Sequence, residues 1–337
     1  MPTHEKEITA PVDLCTPDGR LNPAAVGWSR TPLHRCNLRG WGRTKRWEYW
    51  CVTTPTHLVA LTVSSLDYLA LTSVYLLDYG PHRSTPRETS VTALSPLARG
   101  VRLSRDLDAA ETLATGRINA RITPDHGATR LRFDCRTPHG PLTADLTAVL
   151  PAGHETLSVV VPWDDRRFQY TSKHTARPAH GTVRLGETVY DFTDAWAVLD
   201  HGRGRWPYST HWHWGAASGR TDGHTVGLQL GGTWTRGTGM TENAVCVDGR
   251  LTKIGTELRW HHPDNRRPWH LSTPDSDQVD LVFTPFHERV DSTDAVLLRN
   301  HTRQCFGHYS GTVRTDDGAP IRVDRLLGWA EEARMRW

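Results

Sequence analysis

Apolar and polar residues alternate along most of the chain with a period of two, the pattern of β-strands that are buried on one face. The segments KRWEYWCVTT and HLVALTVSSLDYLALTSVYLLDYG, within residues 45–80, predict three strands rich in Thr, Val and Tyr. Further alternating segments follow between residues 101 and 151, separated by turn signals about every 8–12 residues. No long amphipathic helix is evident, so the pattern predicts an all-β protein of antiparallel sandwiches or barrels.

The same alternation resumes after residue 181 and continues through the rest of the sequence. A chain of 337 residues with two such runs predicts two similar β-domains, because single domains usually hold roughly 100–150 residues. We place an irregular arm at residues 1–40, an N-terminal β-domain at 41–178 and a C-terminal β-domain at 179–337.

Two segments show little alternation and are predicted as connections. Residues 80–100 are rich in Pro, Ser and Thr, which is typical of a loop. Residues 162–181, PWDDRRFQYTSKHTARPAHG, combine aromatic and basic residues and are predicted to carry the chain between the two domains. Lys173 would line a cleft between the domains, although a solvated linker explains this segment equally well.

Charge and cysteine content narrow the class of protein. Lys and Arg number 40 against 37 Asp and Glu, and no long basic run occurs, so nucleic-acid binding is not predicted. The six Cys are widely spaced and form no C-x-x-C pair, which argues against a zinc ribbon or a disulfide framework and favours a cytoplasmic location. Pro55 and His57 interrupt the most apolar run, and residues 1–10 contain no apolar signal core, so neither membrane insertion nor secretion is predicted.

Residues 200–215, DHGRGRWPYSTHWHWG, are the densest group of side chains that can both stack and transfer protons. A strand that only fills a core uses Val, Ile and Leu, whereas Trp and Tyr bring polar groups that need partners when buried. We interpret this central stretch as the wall of a pocket for a small-molecule ligand. The predicted ligand-binding residues are Trp47, Lys173, His201, Arg203, Trp206, Tyr208, Trp212, Glu242 and Asn243.

Three residues are candidates for acid–base catalysis: Asp200, Glu48 and His211. A carboxyl group in apolar surroundings has a raised pKa and can stay protonated near neutrality, and aromatic faces stabilise the cation that protonation forms. Asp200 is the first candidate for the proton donor, with a salt bridge to Arg203 or Arg205 as the alternative. Glu48 is a candidate if it points into a barrel, and a surface charge if it points outward.

His211 and His213 share one face of a regular strand and could be two metal ligands. A third ligand would have to come from elsewhere, such as His201, His224 or His270, and no carboxylate follows at a familiar spacing. We therefore predict a hydrogen-bonded structural pair and no metal. The chain also lacks a glycine-rich phosphate loop in a βα context and a G-x-S-x-G nucleophile turn, so no organic cofactor is predicted.

Several stretches resemble the DUF2804 family of bacterial proteins: LCTPDGRLNPAAVGWSR, KRWEYW, DHGRGRWPYSTHWHWGAASG, TENA, VDG, VDLVFTPFHER, FGHYSG and GWAEEARMRW. They span nearly the whole chain, and the central one is the most specific. The family is similar to two-domain lipocalin-like proteins that include carotenoid 1,2-hydratases and natural-product cyclases. The resemblance implies two tandem lipocalin-like barrels with an apolar pocket near their junction, and protonation of an alkene by an Asp, for which Asp200 is the candidate on chemical grounds.

We therefore expect a cofactor-independent lyase or isomerase, of the hydratase, isomerase or cyclase type, that acts on a largely apolar small molecule. One alternative is a carbohydrate-active enzyme in which Glu48 and Asp200 form a glycoside-cleaving carboxylate pair beside Trp platforms. The other is a non-catalytic carrier, which would have a deep pocket without a perturbed carboxyl group. The substrate and the oligomeric state are left open.

Overall fold

The computed structural model describes residues 3–295 and 298–337, and nearly all of its regular structure is β-strand. Within these residues, the one helical segment is a short 3₁₀ turn at Pro23–Ala25. None of the described residues form a helix that is long and apolar enough to cross a membrane. The prediction of an all-β protein is confirmed.

The strands are numbered along the chain. The first are β1 (Val12–Asp13), β2 (Trp28–Ser29), β3 (His34–Arg35), β4 (Lys45–Thr53), β5 (His57–Ser65), β6 (Leu69–Asp78), β7 (Arg87–Pro96), β8 (Val101–Arg102), β9 (Thr112–Ala114), β10 (Ile118–Asp125), β11 (Ala128–Thr137), β12 (Gly140–Val149) and β13 (Leu157–Pro162). The others are β14 (Phe168–Leu185), β15 (Thr188–Asp191), β16 (Ala195–Arg205), β17 (Ser209–Thr221), β18 (His224–Gly232), β19 (Asn243–Val247), β20 (Arg250–Ile254), β21 (Arg259–His261), β22 (Trp269–Ser272), β23 (Val279–Ala295), β24 (Leu298–Arg314) and β25 (Pro320–Arg336).

The first large sheet has the strand order β7-β6-β5-β4-β16-β14-β12-β11-β10-β9-β8; in addition, β13 and β15 pair with β14, and β2 pairs with β13. It curls until β7 lies against β10 and β11, and an apolar core fills its concave side. Strand β11 shows the sequence pattern behind this core. Leu131, Phe133 and Cys135 are buried, while the alternate residues Arg130 and Arg132 are exposed, because successive side chains of a strand point to opposite faces.

The second large sheet has the order β20-β19-β18-β17-β25-β24-β23-β22-β21 and encloses its own apolar core. Its hairpin between β19 and β20 turns at Asp248-Gly249, as the sequence predicts. Both residues have positive φ, 49° and 81°, which is what a two-residue type I′ turn requires. Short β1 and β3 form a separate parallel pair in the N-terminal arm.

The two sheets pack against each other through a shared core in which Cys51 and Tyr75 of the first sheet meet Trp214, Phe306 and Trp329 of the second. The chain crosses from one sheet to the other between the end of β16 and the start of β17. The central stretch is therefore two strands in two sheets, joined by residues 206–208.

Two predicted connections are wrong. Residues 87–96 form β7, which pairs with β6 along its whole length. Residues 168–185 form β14, an inner strand of the first sheet. The second segment resembled a linker because it is polar, but Lys173 and Arg177 are buried in it and bonded to partners. The predicted boundary at 178/179 lies within β14; the division into two folding domains stays a prediction.

Candidate active site

The two sheets enclose a cavity of about 260 Å³. Small-molecule sites typically measure roughly 300–1,000 Å³, so this cavity lies just below that range. The first sheet lines it through β4, β5, β6, β14 and β16, and the second through β17, β23, β24 and β25. The cavity wall includes six indole rings, those of Trp47, Trp206, Trp212, Trp214, Trp234 and Trp337.

Trp206, in the link between the sheets, lies at the centre of these indoles. Its ring centroid is 5.0 Å from that of Trp234, 5.7 Å from that of Trp47 and 5.9 Å from that of Trp212. Its Nε1 donates a hydrogen bond to Gln169 Oε1 at 2.7 Å, so its polar group is satisfied. The arrangement offers a ligand several aromatic faces, which bind apolar surface and attract positive charge.

Strand register places three polar side chains in a row on the first sheet's side of the cavity. Asp200 in β16 is the direct partner of Tyr49 in β4 and of Lys173 in β14. Directly paired residues point to the same face of a sheet, so all three side chains reach the cavity. The row joins residues that are far apart in the sequence.

Lys173 binds two carboxylates. Its Nζ lies 3.0 Å from Asp200 Oδ2 and 3.1 Å from Glu242 Oε2, and 4.6 Å from the centroid of the Trp214 ring. Thr171 Oγ1 donates to the other oxygen of Asp200 at 3.0 Å. Asp200 is therefore held in an ion pair, and its partner is Lys173 rather than the predicted Arg203 or Arg205.

Burial and the neighbouring charges together set the pKa values of Lys173 and Glu242. Burial alone would lower the pKa of Lys173, but the attraction of Asp200 and Glu242 outweighs it and raises that pKa above its usual value. Burial, together with the negative charge of Asp200, raises the pKa of Glu242, and the Lys173 ammonium only partly offsets this. Trp234 Nε1 also donates to Glu242 Oε1, at 2.5 Å. The ammonium thus stays charged while the carboxyl beside it resists ionisation.

Glu331, in β25, lines the same cavity but is held by hydrogen bonds rather than by a contact with Lys173. It accepts hydrogen bonds from Trp212 Nε1 at 2.9 Å and from Gln304 Nε2 at 3.1 Å, and no ion pair holds it within the described residues. Burial raises its pKa to about 7; the Trp212 hydrogen bond and the charge of Lys173 reduce this effect, whereas the charge of Asp200 adds to it. Near neutral pH a large share of Glu331 is therefore protonated and able to donate its proton.

Six of the twelve residues predicted for the site line this cavity. They are Asp200, Trp47, Lys173, Trp206, Trp212 and Glu242. The other six do not: Glu48, His211, His201, Arg203, Tyr208 and Asn243.

Glu48, His201 and Arg203 lie on the opposite face of β4 and β16. Glu48 follows Trp47 directly, and His201 and Arg203 are one and three residues after Asp200, so each points away from a side chain that lines the cavity. Arg203 Nη2 is 3.4 Å from Glu48 Oε1, and Thr112 donates to the same oxygen at 2.6 Å. Burial and the charge of Arg203 lower the pKa of His201 well below its usual value. Glu48 does point into the first sheet's interior, but into a bonded cluster, so the predicted pairing of Glu48 with Asp200 around one ligand is wrong.

Tyr208, Asn243 and His211 have other surroundings. Tyr208 is exposed, and its hydroxyl accepts a hydrogen bond from Arg336 Nε at 3.0 Å. Asn243 is a structural residue that accepts from the Gly231 backbone N–H and donates to the Thr256 carbonyl. His211 lies on the face of β17 opposite Trp212, where its Nε2 is 3.0 Å from Glu332 Oε1.

Three residues that line the cavity were not predicted from the sequence: Glu331, Gln304 and Trp234. A signal for Glu331 exists in the closing stretch GWAEEARMRW. Two consecutive Glu residues in a strand point to opposite faces, and apolar neighbours indicate that one of these faces is buried. That signal does not say which Glu faces inward.

The chain is similar to three solved structures, each at low identity. A protein from Nitrosomonas europaea described as an AttH shares 10% identity at a TM-score of 0.49, covering 86% of this chain and 92% of that one. CghA, solved with Sch210972, also shares 10% identity at 0.49, covering 88% of each chain. Kievitone hydratase from Nectria haematococca shares 9% at 0.43, covering 88% and 89%. Likeness at this level carries no inference about activity.

No curated protein matches the chain. A protein-family model matches residues 5–337, which include both sheets and every residue of the cavity named above. As the resemblance of its sequence motifs implied, the chain belongs to the family described as Domain of unknown function (DUF2804).

Proposed function

We propose that this protein is a proton-transferring enzyme of the hydratase, isomerase or cyclase type, acting on a largely apolar small molecule in the cavity between the sheets. We assign the role of proton donor to Glu331, in place of Asp200 or Glu48. The observation that carries the proposal is a buried carboxyl group, with a pKa of about 7, in a wall of indole rings.

Glu331 meets the requirements for a general acid. Proton transfer is most effective when the pKa of the donor is close to the working pH, and a well-placed donor contributes typically 10²–10⁴-fold to the rate. The hydrogen bond from Trp212 fixes the carboxyl group at the cavity wall. The ring faces of Trp206, Trp214 and their neighbours would stabilise the carbocation formed when an alkene is protonated.

Asp200, Lys173 and Glu242 serve a different role in this proposal. Asp200 is held between Lys173 and the Thr171 hydroxyl, a fixed arrangement that suits it to orienting a ligand. We assign the three to orienting a polar end of the ligand. Two kinds of carboxyl environment in one site, one neutral and one ion-paired, are the usual basis for dividing acid and binding roles.

The geometry lends less support to the two alternatives. A glycoside-cleaving pair of Glu48 and Asp200 would need both carboxyl groups to face one bond, and they lie on opposite faces of the first sheet. A simple carrier needs no carboxyl group with a shifted pKa, whereas Glu331 has one.

The proposal is tested by solvent isotope incorporation. The protein is incubated in D₂O with a panel of polyenes, cyclic alkenes and α,β-unsaturated ketones, and products are followed by mass spectrometry for added water or deuterium. We expect turnover of at least one class by the native chain and a loss of about 10²–10⁴-fold in Glu331→Gln.

The matched control is Glu111→Gln, a carboxyl group outside the cavity that is bonded to Arg121 and Thr123. It should retain the native rate. Full activity in Glu331→Gln, combined with loss in Asp200→Asn, would return the donor role to Asp200. Native mass spectrometry that finds a retained ligand without any turnover would favour the carrier.

A further inference from the structure

The face of β17 that points away from the cavity carries a second group of side chains. His211 and His213 share this face, and Glu332 in β25 is the direct cross-strand partner of His213. His211 Nε2 lies 3.0 Å from Glu332 Oε1. One nitrogen or oxygen atom from each of the three residues lies within 4.8 Å of the others. Arg334 Nη2 also lies 3.1 Å from Glu332 Oε1, so this exposed guanidinium would move aside when the three ligands close around a common centre.

The surroundings of His213 match those of a metal-binding imidazole. Its Nδ1 is 2.9 Å from Thr233 Oγ1. When Nδ1 donates its proton to Thr233, Nε2 carries a lone pair that is free to bind a metal ion. The hydrogen bond to Thr233 also fixes the orientation of the ring. Metal-bound His residues almost always donate their second ring N–H to an outer acceptor, usually a carboxylate, a backbone carbonyl or water, and the Thr233 hydroxyl takes that place here. The Nε2 atom is 3.0 Å from Nε2 of His262, a further nitrogen at the same place.

We propose that His211, His213 and Glu332 form a binding site for a divalent transition-metal ion of the Zn²⁺ type. Two imidazoles and one carboxylate suit zinc, whereas Ca²⁺ and Mg²⁺ require more oxygen ligands. Three protein ligands leave a fourth tetrahedral position for water or for His262. The side chain of His211 is 36% exposed, which gives an ion a path into the site.

The third ligand explains why sequence spacing did not reveal the site. Glu332 reaches His213 only through the pairing of β17 with β25, which joins residues more than a hundred positions apart. The third ligands considered from the sequence lie elsewhere: His224 pairs with Asp248, and His270 with Asp280.

The site lies directly behind the proposed proton donor. Trp212 is between His211 and His213 in β17, and Glu331 precedes Glu332 in β25. A bound ion would tie β17 to β25 at the position where Trp212 donates to Glu331. The proposal concerns metal binding alone and does not depend on the function proposed for the cavity.

The test is titration of the untagged full-length chain with Zn²⁺ by calorimetry and with Co²⁺ by visible absorption, near neutral pH. We expect one ion per chain. Thr233→Val removes only the hydrogen-bond partner of a ligand and should weaken zinc binding by about 10–100-fold. Glu332→Gln and His213→Ala each remove a ligand and should weaken binding by more than that. Circular dichroism checks that each variant is folded, and Glu332→Gln serves alone if His213→Ala is not.

The matched control is His270→Ala, which removes an exposed His that also pairs with a carboxylate, at 2.7 Å from Asp280. It should bind zinc as the native chain does. Equal affinity in the native chain and Glu332→Gln, or an equal loss in His270→Ala, would mean adventitious surface binding only and would overturn the proposal. Neither result bears on activity in the cavity.

Discussion

Glu331→Gln is expected to stabilise the fold above neutral pH while it removes the proposed proton donor. Burial raises the pKa of Glu331 from an ordinary value of 4.5 to about 7. A carboxyl group whose pKa is higher in the folded state costs stability as the pH rises above its unfolded pKa, because the unfolded chain releases the proton first. This cost grows between about pH 4.5 and pH 7 and is constant above that range.

The size of the effect follows from the same pKa difference. A difference of about 2.5 corresponds to about 3.5 kcal/mol, at about 1.4 kcal/mol for each tenfold change in proton affinity. Gln cannot ionise and avoids the cost. Its carbonyl oxygen can accept from Trp212, and the Gln304 amide can turn so that its oxygen faces the new NH₂ group. The variant should therefore be more stable than the native chain by about 3.5 kcal/mol at about pH 8, and by much less at about pH 5.

Equilibrium unfolding in urea at both pH values measures this difference, with the denaturant dependence checked for equal slopes. Glu111→Gln is the control, because its partly exposed ion pair with Arg121 should be worth less than about 1 kcal/mol. If Glu331→Gln were less stable than the native chain at about pH 8, or if its advantage did not grow with pH, the assignment of Glu331 as a buried neutral acid would be refuted.

Two further substitutions test the construction of the cavity. Lys173→Met should destabilise the protein by about 3–5 kcal/mol in chemical denaturation, because Asp200 and Glu242 lose their buried cation. Adding Asp200→Asn should recover part of this loss of stability. If the double variant recovers none of it, the ion pair is not the cause of the loss. Gly202→Ala should cost about 1–3 kcal/mol, because its new methyl group would overlap the Trp47 ring. It should also weaken binding of the apolar dye N-phenyl-1-naphthylamine, measured by fluorescence, and unchanged dye affinity would argue against Trp47 as a wall of the binding cavity.

Strand content and the sorting of side chains to faces were predictable because both depend on neighbouring residues. The alternation in the segment from Lys45 places Trp47 and Glu48 on opposite faces, and the structure keeps them there. Alternation along β17 likewise places Trp212 and Trp214 on one face and His211 on the other. The all-β class follows from this alternation, the Asp248-Gly249 hairpin from the turn preference of its two residues, and the aromatic pocket wall from the composition of residues 200–215.

The partners of these side chains depended on the tertiary structure. Lys173 meets Asp200 because β14 and β16 pair in one particular register, and Glu331 meets Trp212 because β25 pairs with β17. A shift of one residue in either register would turn the opposite set of side chains toward the cavity. Composition and alternation determined by themselves that the chain forms sheets with an aromatic stretch at its centre. Which carboxyl group is ion-paired and which stays neutral was decided only when distant strands packed together, because burial and nearby charge set a pKa and neither is a property of local sequence.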